Sequence, residues 1–277
     1  PIPPEHQESL RMKPHIPRKR FGQNFLQDQG VIADILNAVS PEAGDIFVEI
    51  GPGLAALTRP LLERIPHLHA VEIDRDIVAH LAERFPPERL TVHNADALDF
   101  DFGALARAIA PGGQIRLIGN LPYNISTPLL FHLASFGSVI SDMHFMLQKE
   151  VVDRMVAEPG TSDYGRLGIM LQYRFVMDRV LNVPPAAFNP PPKVDSAVVR
   201  MIPWPKLPHP ANDESLLEEI VQAAFAQRRK TLRNNLKGIA SDAELESLGI
   251  DPGWRAENVS VAQFVALANH LSARAAG

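Results

Sequence analysis

The sequence predicts an α/β protein: a parallel sheet with crossover helices, followed by a smaller all-helical domain. Three observations carry that prediction. Short apolar runs alternate with helical patterns, prolines then crowd the stretch from Pro184 to Pro210, and only helical spacing follows it. The runs are Ile46 to Ile50, Leu68 to Ile73, Leu90 to His93, Ile115 to Ile118 and Met143 to Leu147. Continuous apolar runs of this length suit strands covered on both faces, the habit of parallel sheets. Nine of the 25 prolines fall at 184, 185, 190, 191, 192, 203, 205, 208 and 210. The last four exclude both helix interior and central strand. The boundary is therefore placed there, giving domains 1–205 and 206–277. Beyond it Leu216, Leu217, Ile220, Val221, Ala224, Phe225, Leu232 and Leu236 recur at helical spacing.

Composition narrows the chemistry. The 277 residues, 45% hydrophobic and 21% charged, have ordinary globular values. No apolar run approaches the ~18 residues of a bilayer span, and Pro1 to Pro17 lacks a hydrophobic signal core, so a cytoplasmic protein is expected. The chain has no cysteine, which excludes disulfides, thiolate metal sites, iron–sulfur clusters and cysteine nucleophiles. Cluster-type radical enzymes and cytosine-C5 methylases go with them. Net charge is −5, so any nucleic-acid contact must be local. Two acid-free segments supply such locality: Arg18, Lys19 and Arg20, and Arg228, Arg229, Lys230, Arg233 and Lys237. His67 and His69 are close but lack a further ligand, so no metal is expected. Met143, Met146 and Met155 read as core.

Glu49-Ile50-Gly51-Pro52-Gly53-Leu54-Ala55-Ala56 closes a predicted strand and opens a helix, giving G-x-G-x-x-A where a ligand can approach the backbone. Glu72 lies 21 residues after Gly51, Asp96 a further 24 on, and Asn120 another 24. One strand, one helix and two loops take about that many residues. Parallel strands present their C-terminal ends along one sheet edge, so the four positions converge on one cleft. Glu72 there can accept both hydroxyls of a ribose. A nicotinamide cofactor would use Glu72 in the same way. Glu49, before the first glycine, and Asp96, able to bond an adenine amine, favour S-adenosylmethionine.

At the end of the fourth strand stands Gly119-Asn120-Leu121-Pro122-Tyr123-Asn124. The exocyclic amine of adenine is a poor nucleophile because its lone pair is delocalised into the ring. Catalysis needs acceptors for both N–H groups: the Asn120 amide oxygen and a backbone carbonyl of Leu121 or Pro122. Pro122 fixes the turn and Tyr123 offers a face for stacking. Methyl transfer then depends on positioning and on complementarity to the charge developing on nitrogen.

With those residues in view, the chain resembles the small-subunit (16S) ribosomal RNA adenine N6,N6-dimethyltransferase family. The matching stretches are Arg20-Phe21-Gly22-Gln23-Asn24-Phe25-Leu26, Glu49 to Gly53, Glu72, Asn94-Ala95-Asp96, Asn120 to Tyr123, and Phe188-Asn189-Pro190-Pro191-Pro192-Lys193-Val194-Asp195-Ser196. The resemblance implies a Rossmann-like class I S-adenosylmethionine methyltransferase sheet of seven strands, the last formed between about Leu171 and Met201, and a helical C-terminal domain that docks on RNA. It implies that Asn24 and Leu26 join the cofactor site with Gly51, Gly53, Glu72, Asp96 and Asn120, and that Phe188 stacks on the target base opposite Tyr123. It further implies a pair of adjacent adenosines in the 3′-terminal hairpin loop of 16S rRNA as substrate, each methylated twice during late small-subunit assembly. The partner is then 16S rRNA in the small subunit or its precursor, and the enzyme is expected to be a monomer.

Placed on one helix from Gln222 to Lys237, Arg229, Lys230, Arg233 and Lys237 form a basic stripe within about a third of the circumference. Such a stripe could track the phosphates of a hairpin stem, while Arg18, Lys19 and Arg20 flank the catalytic mouth. Arg228 falls on the apolar side, where a structural ion pair is expected. The rivals are a 23S rRNA adenine dimethylase, a DNA adenine methylase, which more often carries Asp at the position of Asn120, and a non-catalytic assembly or transcription factor on the same fold.

Overall fold

The computed structural model describes residues 23–277. Arg18, Lys19 and Arg20 lie outside the described residues. Every apolar run picked out above is a strand: β2 (Phe47–Ile50), β3 (Leu68–Glu72), β4 (Leu90–Asn94), β5 (Ile115–Asn120) and β6 (Ile140–Gln148), preceded by a two-residue β1 (Phe25–Leu26). Three further strands follow, β7 (Phe175–Val183), β8 (Phe188–Asn189) and β9 (Ser196–Pro203). The main sheet has the order β4-β3-β2-β5-β6-β9-β7; its first five members are parallel, and β9 runs antiparallel to both β6 and β7. This is a mostly parallel seven-stranded α/β sheet, the strand count that the resemblance implies. Strand order reverses between β2 and β5, and a crevice forms beyond their C-terminal ends.

The strands are apolar on both faces because both faces are covered. On one, Phe47, Leu68, Ala70 and Ile118 pack under α1 (Gln29–Val39), α2 (Thr58–Leu62) and α3 (Arg75–Arg84). On the other, Val48, Val71, Leu117 and Phe145 pack under α4 (Phe102–Ile109), α5 (Ser126–Ala134), α6 (Lys149–Val156) and α7 (Arg166–Gln172). Met143, Met146 and Met155 are all core residues, at most 1% exposed. Aspartates set where helices begin: Asp28, Asp74 and Asp101 accept from backbone N–H groups in the first turns of α1, α3 and α4. At the sheet edge opposite the crevice, Arg116 on β5 bonds Asp142, Asp45 and the Val39 carbonyl, tying β6 and the end of α1 to the sheet.

After β9 the chain crosses the proline stretch to α8 (Glu214–Ala224), α9 (Leu232–Asn235), α10 (Asp242–Ser247) and α11 (Val261–Ala276). Leu217, Ile220, Leu232, Leu245 and Phe264 build its core, which also takes in Tyr164, Ile169 and Tyr173 from around α7. The helical part therefore packs on the sheet domain through a shared apolar surface. One expectation is overturned here. Gln222 to Lys237 is not one helix: α8 stops at Ala224, and turns separate it from α9. The break is satisfied from a distance, because Asn235 Nδ2 donates to the carbonyls of Ala224 and Gln227.

Candidate active site

The crevice at the ends of β2 and β5 is lined by Gln23, Asn24, Phe25, Gly51, Glu72, Asp96, Asn120, Leu121, Pro122 and Tyr123, with Ile73, Ile77 and Ala97 as apolar wall, and has a cavity volume of about 280 Å³. The evenly spaced positions thus meet. Gly53 has φ 53°, and a β-carbon there would press on the Phe25 ring at 3.1 Å. Gly119 is required by proximity: a β-carbon would lie 2.5 Å from the Ile50 carbonyl oxygen, so β2 and β5 converge only because it has none.

Glu72 ends β3 and is 6% exposed, and one carboxylate oxygen accepts from Asp74 N at 2.9 Å. Burial raises its pKa, opposed by backbone donors of Asp74, Gly53 and Ile73. Asp96 accepts from Leu98 N at 3.0 Å, which fixes its carboxylate at the rim. Glu49 is not among the lining residues. It lies beneath the glycine turn, 1% exposed, where the Thr58 hydroxyl donates to it at 2.6 Å. Burial pushes its pKa up to about 8, against the Thr58 bond and with a further push from Glu72. A buried ribose-type acceptor, a second carboxylate lining the same cleft and an apolar wall fit a nucleoside.

Asn120 ends β5 with its amide nitrogen committed: Nδ2 donates to the Asn24 carbonyl at 3.0 Å. An amide so anchored presents its oxygen as the remaining functional atom, an acceptor. Leu121 N donates to Met146 O at 3.1 Å, extending the β5–β6 ladder by one residue, and Ile125 N donates to Pro122 O at 3.2 Å, closing the turn. Of the two carbonyls weighed from sequence, that of Pro122 is thus occupied, while that of Leu121 accepts no hydrogen bond among the described residues. Tyr123 stands half-buried beside them, its hydroxyl bonded to that of Ser196.

The segment Gln23 to Leu26 closes the cleft. Gln23 Nε2 donates to Asp74 Oδ2 at 3.1 Å, and β1 pairs antiparallel with β8, Leu26 opposite Phe188. Leu26 and Phe188, 5% and 4% exposed, face the core under α1 to α3 and do not line the cleft. The Phe188 ring, expected from the resemblance to stack on the target base, is buried in this core. Gln23 and Phe25 escaped sequence reasoning as site residues, although they flank Asn24 in the quoted stretch.

The basic positions are exposed, but no single helix carries them. Arg229 and Lys230 sit in the turn after α8, Arg233 on α9 pairs with Asp242 at 2.7 Å, and Lys237 follows α9. Arg229, Lys230 and Lys237 make no ion pair among the described residues. Arg228 forms no ion pair there either; its guanidinium donates to the Ser162 carbonyl at 2.8 Å, a tie between the two parts of the molecule. His67 bonds the Glu88 carbonyl and Thr91, and His69 shares a hydrogen bond with His93 at 3.3 Å. Among the described residues no group of three or more His, Asp or Glu could hold a metal ion.

A family model described as ribosomal RNA adenine dimethylase matches residues 15–273. The chain is 65% identical over 260 residues to the ribosomal RNA small subunit methyltransferase A of Chromobacterium violaceum, covering 94% of this chain and 97% of the relative. It is 64% identical over 258 residues to that of Laribacter hongkongensis, covering 93% and 97%. Among solved structures, a dimethyladenosine transferase from Plasmodium falciparum superposes with a TM-score of 0.72 at 26% identity over 91% of this chain and 98% of that one. The 23S rRNA methyltransferase ErmE superposes with a TM-score of 0.69 at 25% identity over 90% and 100%.

Proposed function

The chain belongs to the ribosomal RNA adenine dimethylase family, and we propose that it methylates N6 of two adjacent adenosines in the 3′-terminal hairpin loop of 16S rRNA, twice each, with S-adenosylmethionine as donor. It is a methyltransferase acting on ribosomal RNA. Identity of 65% to a small-subunit methyltransferase against 25% to a 23S enzyme favours the small-subunit substrate. The intact cleft weighs against a factor without turnover.

The observation that carries the mechanism is the anchored Asn120 amide. With Nδ2 held by the Asn24 carbonyl, Oδ1 is left to accept one N–H of the adenine amine. The Leu121 carbonyl accepts the other. Two neutral acceptors favour a pyramidal nitrogen whose lone pair leaves the ring, and no strong base is needed because the departing proton leaves an already cationic nitrogen. Tyr123 supplies the stacking face for an adenosine splayed from its loop. The donor, when bound, supplies an electrophilic sulfonium methyl. Glu72 would hold its ribose hydroxyls, Asp96 its adenine amine, Gly51 and Gly53 its close approach to the backbone, and Asn24 would close over it. We assign Leu26 and Phe188 a supporting role: they pin the lid from the core side.

Residues 1–205 form the proposed catalytic domain and 206–277 the RNA-docking domain. Arg229, Lys230 and Lys237, exposed and without an ion pair among the described residues, would meet phosphates, together with Arg233; Arg18, Lys19 and Arg20 are proposed as a basic arm. The enzyme would act as a cytoplasmic monomer on a small subunit or its precursor. No helix among the described residues is long and apolar enough to cross a membrane. Mass spectrometry of small-subunit RNA after incubation with labelled donor tests the reading. The expected product is N6,N6-dimethyladenosine at two adjacent positions of the 3′ hairpin; small-subunit RNA recovered without label there would refute it.

A further inference from the structure

Ser196 is fully buried at the first position of β9, opposite Gln148 on β6 and Val183 on β7. The three residues after it, Ala197, Val198 and Val199, are buried and apolar. A hydroxyl in such a setting loses its hydration and is kept without cost only by a partner. That partner is the Tyr123 hydroxyl, in a close hydrogen bond spanning 73 residues of sequence. A second buried serine holds Tyr123 at its other end: Ser126 Oγ donates to the Tyr123 carbonyl at 3.1 Å. Burial raises the phenol pKa, so it stays neutral and one hydroxyl donates while the other accepts. Pinned at its carbonyl and at its hydroxyl, the ring cannot swing about χ1 without breaking the Ser196 bond.

We propose that Ser196 is a positioning residue for target capture: its hydroxyl holds the Tyr123 ring where the adenine stacks, and it acts through Tyr123 without touching substrate. This rests on the reading of Tyr123 as the stacking face. It gives the last residue of the Phe188 to Ser196 stretch a role in the chemistry, and joins that stretch to the Asn120 to Tyr123 turn.

The test is a double-mutant cycle with Ser196→Ala and Tyr123→Phe in the full chain, following methyl transfer at saturating RNA, KM for RNA, affinity for S-adenosylhomocysteine and thermal melting. Each single change is expected to slow methyl transfer about five- to tenfold, the loss of one net hydrogen bond, with donor affinity unchanged. The double variant should be no slower than the slower single one, because both remove the same bond. Multiplying effects, or a Ser196→Ala enzyme as fast as wild type, would overturn the proposal. Tyr123→Phe leaves Ser196 in place and so tests the bond even where Ser196→Ala melts early. Tyr123→Ala separates the two claims. Full activity in it refutes stacking itself, whereas lost activity beside a multiplicative cycle refutes only the role of Ser196.

Discussion

Replacing Glu49 by Gln isolates the electrostatics beneath the glycine turn. Glu49 is 1% exposed and burial pushes its pKa from 4.5 up to about 8. Between those values the folded protein keeps a proton that the unfolded chain releases, so the wild-type protein loses stability as pH rises from 4.5 through 8. At ~1.4 kcal/mol per pH unit the full interval corresponds to roughly 5 kcal/mol. Glutamine does not titrate, and its amide oxygen can still accept from Thr58 Oγ1, as Glu49 does at 2.6 Å. Glu49→Gln should therefore melt close to wild type near pH 4.5 and well above it at pH 8.5. At about 2–4 °C per kcal/mol for a chain of this class, the gap at pH 8.5 should be on the order of 10 °C. Calorimetry at the two pH values decides it. A variant displaced equally at both, or melting below wild type at pH 8.5, would show that Glu49 is held ionised and that burial is not what governs it.

Gly119→Ala should cost about 1–3 kcal/mol and weaken donor binding, because its β-carbon would meet the Ile50 carbonyl oxygen at 2.5 Å, whereas Gly44→Ala, facing open space, should melt as wild type. Equal melting of the two variants would refute the close approach of β2 and β5. Arg229→Glu with Lys230→Glu should weaken rRNA binding and lower the slope of log affinity against log salt by about two, since neither cation makes an ion pair among the described residues. An unchanged slope, measured by filter binding across salt concentrations, would mean that the RNA runs elsewhere.

The sheet was legible from sequence because its strands are covered on both faces, so each is a continuous apolar run. The convergence of Gly51, Glu72, Asp96 and Asn120 followed from strand spacing alone. The break between α8 and α9 was hidden because Phe225, Leu232 and Leu236 keep helical spacing across it, while the group that satisfies the broken end, Asn235, arrives from outside α8. Phe188 misled for a related reason. The resemblance alone gave it a stacking role, and its burial in the core under α1 to α3 depends on a pairing with Leu26 across more than 160 residues that no local pattern announces. Ser196 was visible as a motif residue but silent as to role, since its partner is far away in the chain.

The proposed catalysis depends on the Asn120 amide oxygen as acceptor for the target amine. Its most direct test is single-turnover methyl transfer by Asn120→Ala at saturating rRNA and donor, with RNA affinity measured on the same preparation. The predicted result is a rate lower by about 100-fold or more, with RNA affinity essentially unchanged. Retention of more than about a tenth of the rate, where loss of a preorganised group should cost ~10²-fold, would contradict it.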